Sequence, residues 1–206
     1  MLMLEKPVLN CLLDSQIGAL AVTEKRRVAF REGVISIPRM NHQFAQPREK
    51  TISESIANIP DGSTKRYTLQ LLKPGVVFRE EVFLSKSKPF VTFMSDPGNP
   101  GVIVWNDTAT TPGKDGKPLG TVGSATVTVE SDYFIASGLV FKNDVPLPKP
   151  GAKKAQAPAL RVQGTKATFY NATVIGGQVA LYDQKGLHYF KNCTIKGAVA
   201  DTTQAS

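Results

Sequence analysis

The chain has 206 residues, of which 41% are hydrophobic and 20% are charged, so it can bury a core and is not a disordered polymer. Its 25 basic and 17 acidic residues give a net charge of +8, which favours polyanionic partners, but no basic helix face or aromatic–basic motif indicates nucleic-acid binding. No apolar run is long enough to span a membrane. The 2 cysteines and 2 histidines exclude a disulfide scaffold and a Cys/His zinc site, and we expect no metal and no cofactor.

Residues 1–47 differ in character from the rest of the chain. The first twenty are largely apolar, but Glu5, Lys6 and Asp14 interrupt them, and neither a basic start nor a clean apolar core indicates a convincing signal peptide. The following stretch is basic and has no sustained period. We therefore interpret residues 1–47 as an atypical, loosely ordered extension, and place the folded domain at 48–206.

The first regular element is a short helix that begins at Thr51. Thr51 and Glu54 have the spacing of a capping box, in which each side chain bonds the backbone of the other residue. Apolar residues then recur at Ile52, Ile56 and Ile59, which places them on one helical face. Pro60 begins a Pro-Asp-Gly turn, so we expect the helix to span about 51–59.

From residue 67 onward the pattern predicts strands. Short apolar and β-branched runs alternate with turns that contain Gly, Pro, Asp or Asn. The predicted strands lie at 67–72, 78–84, 90–94, 101–105, 124–129, 133–141, 158–162, 166–175 and 187–195. Because long helices are missing between them, the sequence predicts an all-β fold.

The predicted strands repeat along the chain, and the repeat indicates which kind of all-β fold they form. Residues 166–177 align with 187–198, so that Phe169 matches Phe190 and Asn171 matches Asn192. A repeat of about 20–25 residues made of short strands is typical of a β-solenoid, in which stacked coils share one core. A β-sandwich with chance similarity is the alternative. The solenoid predicts parallel pairing of the two segments, with the matched residues stacked.

The segment FYNATVIGGQVALYDQKGLHYFKNCTIKG at 169–197 resembles the signature region of plant pectin methylesterases, the pectinesterase family. The segments KPGVVFREEV at 73–82, GTVGSATVTV at 120–129 and QAPALRV at 156–162 are similar to further motifs of that family, in the same order. The resemblance implies a right-handed parallel β-helix with a short N-terminal helix. It also implies the family reaction, the hydrolysis of pectin methyl esters to pectate and methanol.

Family resemblance assigns candidate roles to four residues. Members of the family use an aspartate nucleophile, a second aspartate as general acid/base and two glutamines that stabilise the oxyanion. Gln156 and Gln178 match the two glutamines. Thr121 matches a substrate-contacting threonine, and Tyr182 lies where an aromatic ring can pack against a sugar. The glutamines could instead be ladder or turn residues.

Both aspartate positions depart from the family pattern. The family reads Gln-Asp-Thr-Leu where this chain has Val179 after Gln178, and it has the nucleophilic aspartate where this chain has Ala200. Asp201 is the alternative nucleophile, but a shift of one residue along a strand turns a side chain to the opposite face. We therefore predict no intact catalytic residue and interpret the chain as a truncated member that lacks the later coils.

Three interpretations follow from this resemblance. The chain could be an impaired or incomplete member of the family with no function of its own, a non-catalytic homologue that binds pectin or a wall protein, or an esterase that uses Asp201. In each, pectin is the expected partner, without nucleic acid or membrane, and the location is the plant cell wall after secretion. The sequence does not indicate an oligomeric state.

Several other polar residues have plainer interpretations. We expect His188 to be a packing or hydrogen-bonding residue, Asp183 to be structural, and Cys193 to be a buried thiol within a coil. Asn106, Asn171 and Asn192 each begin an Asn-x-Thr sequence, which a secreted chain can use as a glycosylation acceptor. The last two lie in predicted strands, which makes them poorer candidates.

Overall fold

A computed structural model describes residues 51–71, 75–146 and 155–197, together with the backbone of two strands nearer the N-terminus. Most of the described chain is short strands separated by turns. Neither of its helices has the length and apolar character needed to cross a membrane. The elements are β1 (Leu9–Asn10), β2 (Val34–Ser36), α1 (Ile52–Ala57), β3 (Tyr67–Gln70), β4 (Val77–Arg79), β5 (Val82–Leu84), β6 (Val91–Met94), β7 (Gly101–Trp105), α2 (Gly120–Gly123), β8 (Val127–Val129), β9 (Ile135–Ser137), β10 (Leu139–Asn143), β11 (Leu160–Val162), β12 (Ala167–Tyr170), β13 (Thr173–Ile175), β14 (Leu181–Asp183), β15 (His188–Lys191) and β16 (Thr194–Lys196).

The strands form three sheets, which the chain visits in a fixed rotation. The first sheet has the order β15-β12-β9-β6-β3-β2, the second β1-β16-β13-β10-β7-β4, and the third β14-β11-β8-β5. Each coil contributes one strand to each sheet in turn, and the described coils pair in parallel with their neighbours. Among the described strands, β1 alone pairs antiparallel, against β16. The all-β parallel β-helix predicted from the sequence is confirmed.

The matched repeats pair as the repeat predicts. Phe169 lies opposite Phe190 in parallel register between β12 and β15. Their rings stack with centroids 4.7 Å apart and planes inclined by only 7°. Asn171 and Asn192 follow in the same register, because the flanking pairs Tyr170–Lys191 and Thr173–Thr194 are both aligned. The β-sandwich alternative is therefore excluded.

Four of the predicted strands are each two strands around a corner of the coil. The predicted runs 78–84, 133–141, 166–175 and 187–195 each cross from one sheet to the next. At three of these corners a single residue takes a left-handed backbone, with φ of 67° at Gly138, 48° at Asn171 and 53° at Asn192. Inward-facing apolar residues continue on both sides of such a corner, so the alternating pattern alone does not reveal it. The run 124–129 is a strand only over its second half.

The core is a stack of apolar side chains enclosed by the three sheets. Phe93, Phe134, Phe141 and Phe169 are each fully buried and contact one another edge-on or tilted, with centroids 5.1–6.3 Å apart. Each coil supplies a few such residues, and no coil buries them without its neighbours. The stack therefore fixes the position of each corner relative to the equivalent corner of the neighbouring coil.

Helix α1 begins at Thr51, as the capping box predicts. The Glu54 amide donates to Thr51 Oγ1 at 3.0 Å, and the Thr51 amide donates to Glu54 Oε2 at 3.1 Å. The carboxylate of Glu80, from the corner after β4, accepts from the amides of Ile52 and Ser53 at 2.8 and 3.1 Å. These bonds satisfy amides that have no partner within the helix, and they attach α1 to the first coil.

The predicted division at residues 1–47 and 48–206 stays a prediction. Strands β1 and β2 lie in the first part and pair with β16 and β3 of the second.

Candidate functional site

The candidate oxyanion glutamines lie together at the corner between the second and third sheets, which we call the glutamine corner. Gln156 and Gln178 form an isolated parallel bridge on neighbouring coils. The amide of Ala157 donates to the carbonyl of Gln178 at 2.9 Å, and the amide of Ala109 donates to the carbonyl of Gln156 at 2.8 Å. Three successive coils are thereby connected at this corner.

A tight turn positions Gln178. A Cβ at Gly176 would lie 2.8 Å from the Cα of Ala180 and 3.0 Å from the carbonyl oxygen of Ala157, so only glycine fits there. Val179 takes a left-handed backbone with φ of 61° and is 8% exposed. A β-branched residue is an outlier in this conformation, because its Cβ substituents crowd the backbone. Aspartate and asparagine tolerate it far better.

The side chain of Gln178 holds a polar atom without a partner. Its Oε1 is buried, and no donor within the described part of the chain reaches it. A buried carbonyl oxygen without a hydrogen bond costs about 1–3 kcal/mol. Such an orphan atom is typical of a site that meets its partner in a ligand or in water.

Thr121 lies at the same corner, in the excursion that connects β7 with β8. It belongs to α2, whose first residue, Gly120, donates its amide to the carbonyl of Ala109 at 2.9 Å. Ala109 in turn donates to the carbonyl of Gln156, so Gly120 and Ala109 connect Thr121 to the glutamine corner. The sequence predicts a strand from 124 and does not indicate α2.

Tyr182 is on the outer face of the third sheet, in β14 directly after the glutamine corner. It is half-buried and lies in parallel register with Arg161. Arg161 is itself buried and donates to Gln184, Glu130 and Gln163 at 2.7, 3.2 and 2.5 Å. This network holds the outer face of β11 rigid beside Tyr182.

A groove runs along the outer face of the second sheet, across strands β4, β7, β10 and β13. It has a volume of about 450 Å³. Its charged lining is Arg79, Lys142 and Asp144, and Arg79 pairs with Asp144 at 2.8 Å. Its floor is apolar and consists of Val77, Val102, Val104, Val140 and Ile175. An apolar floor with cationic side chains suits an amphipathic anionic ligand.

Two polar residues near the corner were not singled out from the sequence. Asn143 is buried and donates to the carbonyl of Asp107 at 2.8 Å while accepting from the amide of Val145 at 3.1 Å, so it joins two excursions. Asn143 continues the inward-facing alternation of Leu139 and Phe141. A polar residue at a position where the pattern predicts a core side chain is a sequence signal that could have identified it.

The second residue is Glu81. Partial burial and the charge of Asp107 raise the pKa of Glu81, with a smaller opposing effect from Lys114.

The structure agrees with the expectations for His188 and Asp183, whereas Cys193, expected to be buried, is more exposed than predicted. His188 Nδ1 contacts Asp183 Oδ1 at 2.5 Å and Nε2 contacts the carbonyl oxygen of Gly164 at 2.7 Å, so both ring nitrogens face acceptors. Burial alone would lower the pKa of His188, but the two hydrogen bonds and the charge of Asp183 together raise the pKa above its ordinary value. His188 and Asp183 therefore tie two coils together. Cys193 is only half-buried, against the core.

The two other predicted positions, Ala200 and Asp201, lie outside the described residues. Within the described ranges, no three His, Cys, Asp or Glu side chains are grouped in a way that could hold a metal ion.

The comparison with protein families agrees with this geometry. A family model described as pectinesterase matches residues 43–202. The chain belongs to the pectinesterase family. Pectinesterase QRT1 of Arabidopsis thaliana is 41% identical to it over 151 residues, which are 72% of this chain and 39% of that relative. The chain thus spans about two fifths of the length of this curated pectinesterase.

Solved pectin methylesterases share the fold. PemA from Erwinia chrysanthemi superposes with a TM-score of 0.67 at 26% identity, over 81% of this chain and 49% of that one. An aspartate-to-alanine mutant of a pectin methylesterase, in complex with a hexasaccharide, superposes with a TM-score of 0.66 at 28% identity and the same coverage. The parallel β-helix of this chain is therefore the fold expected of a member of the pectinesterase family.

Proposed function

We propose that this chain is a pectinesterase-family protein of the plant cell wall that binds pectin but does not hydrolyse its methyl esters. The observation that carries the proposal is Val179, an apolar side chain at the corner where the family resemblance implies a general acid/base aspartate. Valine can neither donate nor accept a proton, and Ala200 at the implied nucleophile position cannot attack a carbonyl. Loss of a positioned acid/base alone costs about 10²–10⁴-fold in rate.

The binding half of the proposal rests on what the corner retains. Gln156 and Gln178 stay bridged, and the buried Oε1 of Gln178 lacks a partner among the described residues. Lys142 lines the groove on the outer face of the second sheet, where Arg79 pairs with Asp144, and the chain carries a net charge of +8. A pectin methylesterase mutant without one aspartate forms a complex with a hexasaccharide, so loss of an aspartate is compatible with saccharide binding in this fold.

The site assignments follow from the same proposal. Gln156 and Gln178 contact the ester or carboxylate groups, Thr121 and Tyr182 contact the sugar, and the pectate carboxylates lie near Lys142. Secretion to the cell wall follows from the plant relatives and from the substrate class.

Methanol release tests the catalytic half. Purified protein is incubated with highly methylated pectin at mildly acidic to mildly basic pH, and methanol is measured over time. We expect no release above that of the buffer. Steady turnover that Asp201→Ala abolishes would contradict the proposal and would make Asp201 the nucleophile.

Affinity measurements test the binding half. We expect de-esterified pectin to bind with an affinity that falls with salt and that Lys142→Gln weakens several-fold. Lys86→Gln removes the same charge from an exposed turn away from the groove and serves as the matched control. Equal loss in both variants would show that net charge alone attracts the polymer, without a site in the groove.

A further inference from the structure

Two Asn-x-Thr sequences occupy the same corner on neighbouring coils, between the first and second sheets. Asn171-Ala172-Thr173 and Asn192-Cys193-Thr194 follow β12 and β15, and the residues on both sides of each asparagine pair in parallel register. We call this pair of asparagines the asparagine corner. The strands predicted from the sequence run through it, but both asparagines lie in turns outside the strands.

The asparagine side chains are presented to solvent. Both residues are exposed, and no hydrogen bond within the described part of the chain engages either side-chain amide. The backbone amide of Asn171 is used separately, donating to the carbonyl of Lys191 at 3.0 Å. The threonines that complete the two motifs begin β13 and β16, where both are half-buried. Neither motif has proline in its middle position, so both meet the sequence requirement for N-glycosylation.

A plainer explanation of the asparagines is their left-handed backbone, which asparagine tolerates well. At another corner of the coil, bulkier residues take the same conformation, since Phe90, Tyr133 and Lys166 have φ of 60°, 57° and 59°. The backbone preference also leaves unexplained the threonine that follows each asparagine by two residues. Gly138 occupies the asparagine-corner position one coil earlier, where a Cβ would lie 2.5 Å from the carbonyl oxygen of Ser95. The backbone therefore permits asparagine at this corner without requiring it.

We propose that the asparagine corner is an N-glycosylation site that carries one glycan per molecule, on Asn171 or Asn192. Adjacent parallel strands are about 4.8 Å apart, so the two asparagines are close neighbours on the surface. N-glycans are attached before the chain folds, and two branched glycans on neighbouring coils would crowd each other as the coils stack. We therefore expect the folded, secreted molecules to carry one glycan. The inference rests on the proposed function only in that the protein must enter the secretory pathway.

The position of the corner is compatible with pectin binding. Strand β13 lies between the asparagine corner and the glutamine corner, and its three residues are about 10 Å long at about 3.3 Å per residue. A glycan at Asn171 projects from a different edge of the coil than Gln178. It lies beside the exposed ring of Tyr170, which is 38% exposed, and a polar glycan there would shield the exposed aromatic surface.

The test is the glycan content of the full chain secreted behind a leader peptide from plant cells. All samples carry Asn106→Asp, which removes the third Asn-x-Thr sequence. Intact mass gives the number of glycans, and peptide-N-glycosidase digestion in heavy-oxygen water marks the occupied asparagine. We expect one glycan per molecule, retained by Asn171→Asp and by Asn192→Asp but lost in the double variant.

A second pair of variants leaves the turn asparagines intact. Thr173→Val with Thr194→Val removes both acceptor motifs and should abolish the glycan, whereas Thr173→Ser with Thr194→Ser keeps the motifs and should retain it. Protein secreted with neither asparagine modified, or with both modified on one molecule, would overturn the proposal. Pectin affinity is measured on the same material, and its loss with the glycan intact would count only against the proposed function.

Discussion

Replacement of Val179 by glycine should cost far less stability than the same replacement at an ordinary buried valine. Val179 is 8% exposed and has φ of 61°, whereas Val174 is 1% exposed and lies within β13. A residue held in a sparsely populated backbone region costs about 1–3 kcal/mol, and glycine removes that cost. Val179 therefore carries strain that Val174 does not.

The magnitudes follow from burial and strain. Loss of a buried valine side chain costs about 1.5–3 kcal/mol in either variant. At Val179 the recovered strain offsets this loss, so Val179→Gly should change the free energy of unfolding by less than about 1 kcal/mol. At Val174, glycine within a strand adds about 0.5–1 kcal/mol of backbone entropy, so Val174→Gly should cost about 2–4 kcal/mol.

Urea unfolding followed by far-ultraviolet circular dichroism measures both variants against the parent chain. The comparison is valid where the slope of unfolding free energy with urea concentration is unchanged. Equal destabilisation by the two variants would refute the argument, since it would mean that the left-handed backbone at Val179 stores no strain.

Three further predictions concern the packing between coils. Glu80→Gln should destabilise the protein by about 1–2 kcal/mol because it removes the charge that caps α1, while Glu54→Gln keeps the capping box and should have little effect in thermal unfolding. The pKa of His188 is raised in the folded state, so its contribution to stability is complete below the unfolded pKa of about 6.5 and is lost as the pH rises through the folded pKa. The free energy of unfolding, measured across this range, should fall with rising pH in the parent chain and not in His188→Gln. Phe169→Ala should cost about 3–5 kcal/mol in chemical unfolding and Phe190→Ala clearly less, because Phe169 is fully buried and Phe190 is half-buried; equal costs would contradict this difference in burial.

The fold could be predicted because its signal is periodic. The 21-residue offset between Phe169 and Phe190 is visible in the printed sequence, and it is the pairing that the structure shows. The capping box at Thr51 was equally local, since both of its hydrogen bonds join residues three apart. Such features depend on neighbouring residues and need no knowledge of the rest of the chain.

The corners could not be predicted, because they depend on contacts between coils. The corner at Gly138 exists where the carbonyl of Ser95 approaches from the preceding coil, and nothing in the local sequence reports that approach. The sequence pattern places Glu80 in a strand, yet its carboxylate caps a helix whose first amides belong to residues 27 and 28 positions away. The sequence likewise does not indicate that Thr121 is joined to Gln156 through Ala109.

The backbone of the candidate site does not depend on the aspartate that the family resemblance implies at the position of Val179. The backbone of the glutamine corner is determined by Gly176, which has no room for a Cβ, and by the bonds from Ala157 and Ala109. None of these depends on the side chain at Val179. An aspartate in a left-handed turn can therefore be exchanged for valine at a cost of a few kcal/mol in strain, while the two glutamines keep their places. If the corner were instead built around that side chain, Val179→Gly would shift the Gln156–Gln178 bridge, and amide exchange at Ala157 would rise. We expect the protection of the Ala157 amide to be unchanged.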